Sequence, residues 1–196
     1  MGLLFLGGVN GVGKTSIAQA LRKRLSVRVL DGSSELMKWL GIADGDYVKL
    51  RILPKKVKER ALTDLFCALS KESGVETTIV TAHYVKVFNG KIAPSYGLWY
   101  SYCRVLILLI GNPESIVRRI LYDELINKRI NRSLFSNEQR SLREKIDFIK
   151  RAQLMSTEVM LKASESFRIP SHHIENIDGM PQKAPEQLAQ IIKRRL

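Results

Sequence analysis

Gly8-Val9-Asn10-Gly11-Val12-Gly13-Lys14-Thr15 keeps the spacing Gly-x-x-x-x-Gly-Lys-[Ser/Thr], and it stands between the apolar run Leu3-Leu4-Phe5-Leu6 and a segment with helical periodicity. Glycines so placed let main-chain amides curl toward an anion, and the N-terminus of the following helix adds partial positive charge. Lys14 then reaches the β- and γ-phosphates of a nucleotide, while the Thr15 hydroxyl binds magnesium. Gly8, Asn10, Gly11, Val12, Gly13, Lys14, Thr15 and Ser16 are therefore the expected contacts to the phosphates of ATP or GTP, with Mg2+ as the metal. The competing reading, a glycine-rich turn that binds nothing, requires the strand, the lysine and two hydroxyls to coincide by chance.

Outward from this loop, short apolar runs alternate with amphipathic segments. Strands are expected over 3–6, 27–30, 77–81, 104–110 and 172–177, each bounded by glycine, proline or polar residues. Helices are expected over 14–25, where Ile17, Leu21 and Leu25 share a face, and over 33–40, capped by Ser33 or Ser34. Others should occupy 54–73, opening at Pro54 and ending at Gly74, then 113–127, and a long helix from Ser136 with Gln139 at capping-box spacing, with a last one at 185–195. Asn89-Gly90 and Pro94 mark 83–102 as an irregular connection with a turn and a short helix. Strands alternating with helices imply an α/β, three-layer fold with a five-stranded parallel sheet, in a single domain over 1–196.

The chain has 196 residues, 45% of them hydrophobic and 26% charged, which suits one folded domain. Its net charge of +13 is spread over both halves without a basic tail, so a small anionic substrate is favoured over nucleic acid as the main partner, which remains a possible one. The N-terminal apolar run is too short for a signal or a membrane span, so a cytoplasmic location with no membrane partner is expected. Cys67 and Cys103 have no metal-ligand spacing and read as buried small hydrophobes. His172 and His173 lack a third ligand in sequence. The number of subunits is not encoded in any pattern.

The loop, with the helix beginning near Leu53-Pro54, Ile79-Val80-Thr81-Ala82-His83, the segment Phe148-Ile149-Lys150-Arg151-Ala152-Gln153-Leu154-Met155-Ser156, and Ile174-Glu175-Asn176, resembles in order the archaeal-type adenylate kinases, a nucleoside-monophosphate-kinase-like P-loop family. The resemblance implies a P-loop NTPase core and a short lid at about 127–137 bearing Arg129 and Arg132. It also implies an acceptor-phosphate contact at Arg51 and an adenine-side position for Asn176. Arg151 falls in the best-matching helix and suits a bidentate phosphate contact. Arg118 and Arg119 are adjacent on a helix, so at most one faces the site, and Arg118 is selected.

One element departs from that pattern. An acid of the family falls at Thr81, before Ala82-His83. Asp31-Gly32, at the end of the second strand, is the nearest alternative carboxylate. Asp31 either orients metal and accepts a proton or simply caps a helix, and both readings stay open. His83 either meets the acceptor or forms a structural hydrogen bond.

The leading expectation is an ATP-dependent phosphotransferase acting on a nucleoside monophosphate, with Lys14, Arg129, Arg132, Arg151 and Asp31 catalytic and Arg51, His83 and Arg118 binding the acceptor. The alternatives are a nucleotide-dependent switch that binds RNA or ribonucleoprotein, favoured by the charge, and a kinase of a small non-nucleotide metabolite, suggested by Asp31-Gly32.

Overall fold

The structure is a computed structural model that describes residues 2–72, 76–126, 134–135 and 141–195. Five parallel strands, β1 (Leu3–Gly8), β2 (Val27–Asp31), β3 (Thr77–Ala82), β6 (Val105–Gly111) and β7 (Ser171–Asn176), form one sheet in the order β2-β3-β1-β6-β7. Every residue of β1 is buried, as expected of a strand covered on both faces. Its side chains alternate between two cores. Leu4 and Leu6 enter the one that holds Ile17, Ile116 and Leu188, while Leu3 and Phe5 enter the other, with Leu65, Tyr100 and Met160.

The helices are α1 (Lys14–Arg22), α2 (Gly32–Trp39), α3 (Tyr47–Ile52), α4 (Lys55–Glu72), α5 (Pro113–Leu125), α6 (Leu142–Phe167) and α7 (Lys183–Arg195). Those of one core present short apolar stripes to it, Ile17-Ala18-Leu21 on α1 and Ile116-Val117-Ile120 on α5. Each fully buried aliphatic side chain in such a stripe contributes about 1.5–3 kcal/mol. The five expected strands are all present, and helices flank the sheet on both faces.

Two local expectations change. Residues 83–102 are not irregular: β4 (Val85–Phe88) and β5 (Lys91–Pro94) pair as an antiparallel hairpin, followed by a 3₁₀ turn at Leu98–Tyr102. Asn89 and Gly90 form its two-residue loop with φ of 47° and 73°, the pairing that a type I′ turn requires and that matches strand twist. The long helix α6 is capped at Ser141. The Ser141 hydroxyl accepts from the Glu144 amide and the Glu144 carboxylate accepts from Ser141, a complete capping box. Cys103 is buried while Cys67 is half-buried. The Ser136–Gln139 cap and the Gly74 helix stop lie outside the described residues.

Of the expected lid, only Leu134 and Phe135 are described, and both are buried. The Leu134 carbonyl accepts from the Gly90 amide at 2.9 Å, and the Phe135 ring packs edge-on against Phe148. This segment is thereby fastened to the hairpin turn and to α6. Arg129 and Arg132 lie outside the described residues. Among the described residues no helix is long and apolar enough to cross a membrane.

Candidate active site

The loop after β1 lies at the C-terminal edge of the sheet, where a parallel α/β fold leaves its crevice. Gly13 caps α1 in a left-handed conformation, with φ 99° and ψ 17°. A Cβ there would sit 2.6 Å from the Asn176 side-chain nitrogen, so both backbone and space demand glycine. Gly11, at φ 76°, is equally restricted: a Cβ would meet Ile120 of α5 at 2.9 Å.

Side chains from distant parts of the chain hold the loop's carbonyls. Asn176 donates to Val12 O at 2.8 Å from the end of β7, and Arg119 donates to Gly11 O at 3.4 Å from α5. Lys14 Nζ donates to Gly8 O and Val9 O, each at 2.9 Å, and His83 Nδ1 lies 2.8 Å from Gly8 O. A trans peptide points the next residue's N–H opposite to its carbonyl, so the Asn176 and Arg119 anchors turn the amides of Gly13 and Val12 away from themselves. Thr15 and Ser16 are exposed at the first turn of α1, which has no acidic residue to offset its dipole. Curled amides, a helix N-terminus and a lysine that folds within the loop fit the polyphosphate of a nucleotide.

For magnesium, the donor set is an exposed hydroxyl on Thr15 and the strand-end groups of β2 and β3. Asp31 and Thr81 are paired in register. Asp31 Oδ1 accepts from the amides of Ser33 and Ser34, both at 3.0 Å, and so caps α2, while Thr81 Oγ1 donates to Leu30 O at 3.2 Å and is buried. No group of three or more acidic, histidine or cysteine side chains gathers among the described residues. Magnesium on a nucleotide needs only one or two protein groups besides phosphates and water, and Thr15 with a carboxylate two strands from the loop, acting through water, fits that demand.

The arginines distribute differently from expectation. Arg118 is exposed and pairs with Glu114 one turn back at 2.6 Å, whereas Arg119 touches the loop and pairs with Asp178 after β7. Ile116, Val117 and Ile120 face the core, which puts position 118 nearly opposite and position 119 on the flank. That stripe was readable in the sequence. Arg151 is exposed on α6, its guanidinium 6.0 Å from the Phe148 ring centroid. Gln153 is the α6 side chain that reaches the sheet end: its amide accepts from Gly111 N at 2.9 Å and donates to Gly111 O at 3.1 Å. Nothing in spacing alone distinguished Gln153.

Away from the loop in sequence, α3 and the start of α4 meet the hairpin. Arg51 donates to Tyr47 O at 3.1 Å, and its guanidinium lies 4.2 Å from the Phe88 ring centroid, in range for a cation–π contact. Lys58 Nζ donates to Arg51 O at 3.0 Å. Lys86 projects from the same outward hairpin face as Phe88. Although its surface is open, burial of its ammonium group and then the positive charge of Lys58 and Lys55 hold it below the ordinary lysine range, against an opposing pull from Glu59. Burial also lowers Lys58. Cations brought this close, at a cost to their own protonation, suit an anionic ligand.

No protein-family model and no curated protein matches the chain. Solved structures do. Shikimate kinase from Acinetobacter baumannii in complex with shikimate is 14% identical, with a TM-score of 0.57, covering 99% of this chain and 94% of the other. Shikimate kinase from Aquifex aeolicus is 13% identical with a TM-score of 0.56, covering 98% and 96%. A gluconokinase from Sinorhizobium meliloti is 12% identical with a TM-score of 0.52, covering 99% and 93%. The likeness is broader than the adenylate-kinase type to which the sequence pointed, and what it establishes is the fold: a parallel five-stranded sheet flanked by helices, as in P-loop kinases.

Proposed function

We propose that this chain is an ATP- and magnesium-dependent kinase that transfers the γ-phosphoryl group to a small anionic acceptor held between α3, the start of α4 and the β4–β5 hairpin. The observation that carries this reading is the loop of residues 8–15 at the sheet's C-terminal edge, with Lys14 folded inside it and its carbonyls tied from three other elements. Phosphoryl transfer depends mainly on positioning and on neutralising negative charge, and the loop amides with Lys14 supply both at the donor. Bound with the nucleotide, magnesium neutralises charge on the transferring phosphate. Thr15 and, through water, Asp31 are the residues to hold it.

Asn176 and Arg119 fix the loop beside the donor. Arg51, with Lys58 and Lys86, receives the acceptor's anionic group. His83 stands between the two halves, and Arg151 with the lid arginines Arg129 and Arg132 completes the charge around the transferred group. Arg118 has a smaller part, since Glu114 occupies it. The chain acts as one domain, with its lid at about 127–137.

The structures it resembles are named for shikimate and gluconate kinases, which favours a small hydroxylated acid as acceptor. A nucleoside monophosphate is the second reading, supported by the acceptor-phosphate role that the family resemblance gives Arg51 and by the aromatic face of Phe88 beside it. ADP release should be measured over a panel of hydroxy acids, sugar acids and nucleoside monophosphates, with Lys14→Ala as control. Transfer to one class decides between the two readings. Nucleotide binding with no transfer above the control across the panel sinks the kinase and leaves a nucleotide-dependent switch.

A further inference from the structure

His83 lies just beyond β3 at the sheet edge, and its Nδ1 lies 2.8 Å from the Gly8 carbonyl oxygen. Lys14 Nζ approaches the same oxygen at 2.9 Å and stands 3.4 Å from His83 Nδ1. A carbonyl oxygen only accepts, so a nitrogen at 2.8 Å must carry the hydrogen. His83 is therefore protonated at Nδ1, and Lys14 and His83 are two donors side by side on the two lone pairs of one oxygen. Their mutual 3.4 Å is the spacing of neighbours rather than a bond between them.

The two donors differ in freedom. Lys14 sits on a flexible four-carbon stem. His83 is fixed by its neighbour in the chain, the fully buried Tyr84, which donates to Ile107 O at 3.2 Å and whose ring lies so close to Gly7 that a Cβ there would stand 2.2 Å away. Gly8 is itself buried. When Lys14 swings to a phosphate it abandons the Gly8 carbonyl, and a buried carbonyl with no donor opposes that movement.

We infer that His83 is a positioning residue for the phosphate loop: its Nδ1–H keeps the Gly8 carbonyl satisfied, so that Lys14 is released to the nucleotide phosphates. This rests on the nucleotide-binding reading of the loop. It gives His83 a task at the donor, distinct from contact with the acceptor.

Two measurements on the full chain test it. Long-range 15N–1H correlation of the imidazole reports which ring nitrogen carries hydrogen, whether or not nucleotide binds; a hydrogen-bearing Nδ1 is expected, and a bare Nδ1 overturns the inference. Titration with Mg-ATP then compares variants. His83→Leu removes the donor and should weaken affinity about tenfold. His83→Asn places an amide N–H where Nδ1–H was and should restore affinity to within about twofold of the parent by the same bond. In a Lys14→Ala background, where no lysine has to leave, His83→Leu should cost little more, so the two losses fall short of additive. Equal affinity for the Leu and Asn variants, or additive losses, overturns the inference. If the parent chain itself binds no Mg-ATP, the nucleotide reading fails with it, whatever the tautomer.

Discussion

The two ends of the crevice are built in opposite ways. The proposed donor end has a fully buried strand, a loop with two left-handed glycines, and carbonyls held by His83 just after β3, by α5 and by β7. The proposed acceptor end has a six-residue helix without a buried residue and an outward hairpin face carrying Lys86 and Phe88. The donor end is fastened because side chains from several elements hold its carbonyls. At the acceptor end the described contacts include Arg51 on Phe88 and Lys58 on the Arg51 carbonyl. Phosphates are common to every donor nucleotide, so fixed recognition is tolerable there. A surface with few packing constraints can change its ligand without disturbing the sheet.

Damage at the donor end should accordingly be severe and damage at the acceptor end selective. Lys14→Ala should lower the transfer rate by about 10²–10³-fold or more, as for loss of a group aimed at developing charge, read as ADP release with unchanged thermal unfolding. Gly13→Ala forces a side chain into a left-handed position and against Asn176. It should weaken Mg-ATP about tenfold or more and destabilise the fold by about 1–3 kcal/mol, measured by titration and by urea unfolding. Arg51→Ala should raise the acceptor KM about tenfold with kcat little changed and ATP affinity untouched. A fall in ATP affinity in that variant would break the separation of the two ends.

The core that β1 shares with α4 and the 3₁₀ turn predicts a pH effect. Burial pushes the Cys103 thiol up and out of reach of ionisation, while the unfolded chain ionises it above about pH 8.5. The unfolded state then binds fewer protons than the folded one, so stability is full below that pH and falls at about 1.4 kcal/mol per pH unit above it. Urea unfolding at pH 8 and pH 10 should show this loss, and Cys103→Ala should reduce it. Smallest of all, Phe88→Leu should weaken acceptor binding by about 0.5–1 kcal/mol, the worth of an exposed cation–π contact, and leave Mg-ATP unaffected.

Legibility in the sequence divides along the same line. The loop, its strand and the start of its helix were visible because glycine, lysine and hydroxyl residues at fixed spacing encode backbone shape within a few residues. The hairpin was missed although Asn89-Gly90 announces it: Pro94 and the weak alternation of Val85 to Phe88 masked a two-stranded ribbon that is stabilised by packing Val85, Val87 and Ile92 on the core. The choice of Arg118 over Arg119 came from adjacency alone, where the Ile116-Val117-Ile120 stripe separates them. Asp31 was open to two readings, and the observed geometry uses one of its oxygens to cap α2.

From its sequence alone this protein is an α/β chain with a phosphate-binding loop after its first strand, five strands and their flanking helices, because periodicity and turn chemistry act over a few residues. Only the tertiary structure decided that β1 lies between β3 and β6, that Arg119 rather than Arg118 meets the loop, and that His83 and Lys14 share one carbonyl. Those side-chain contacts join residues as far as 108 positions apart, and they form only when the packed sheet brings the ends of its strands together.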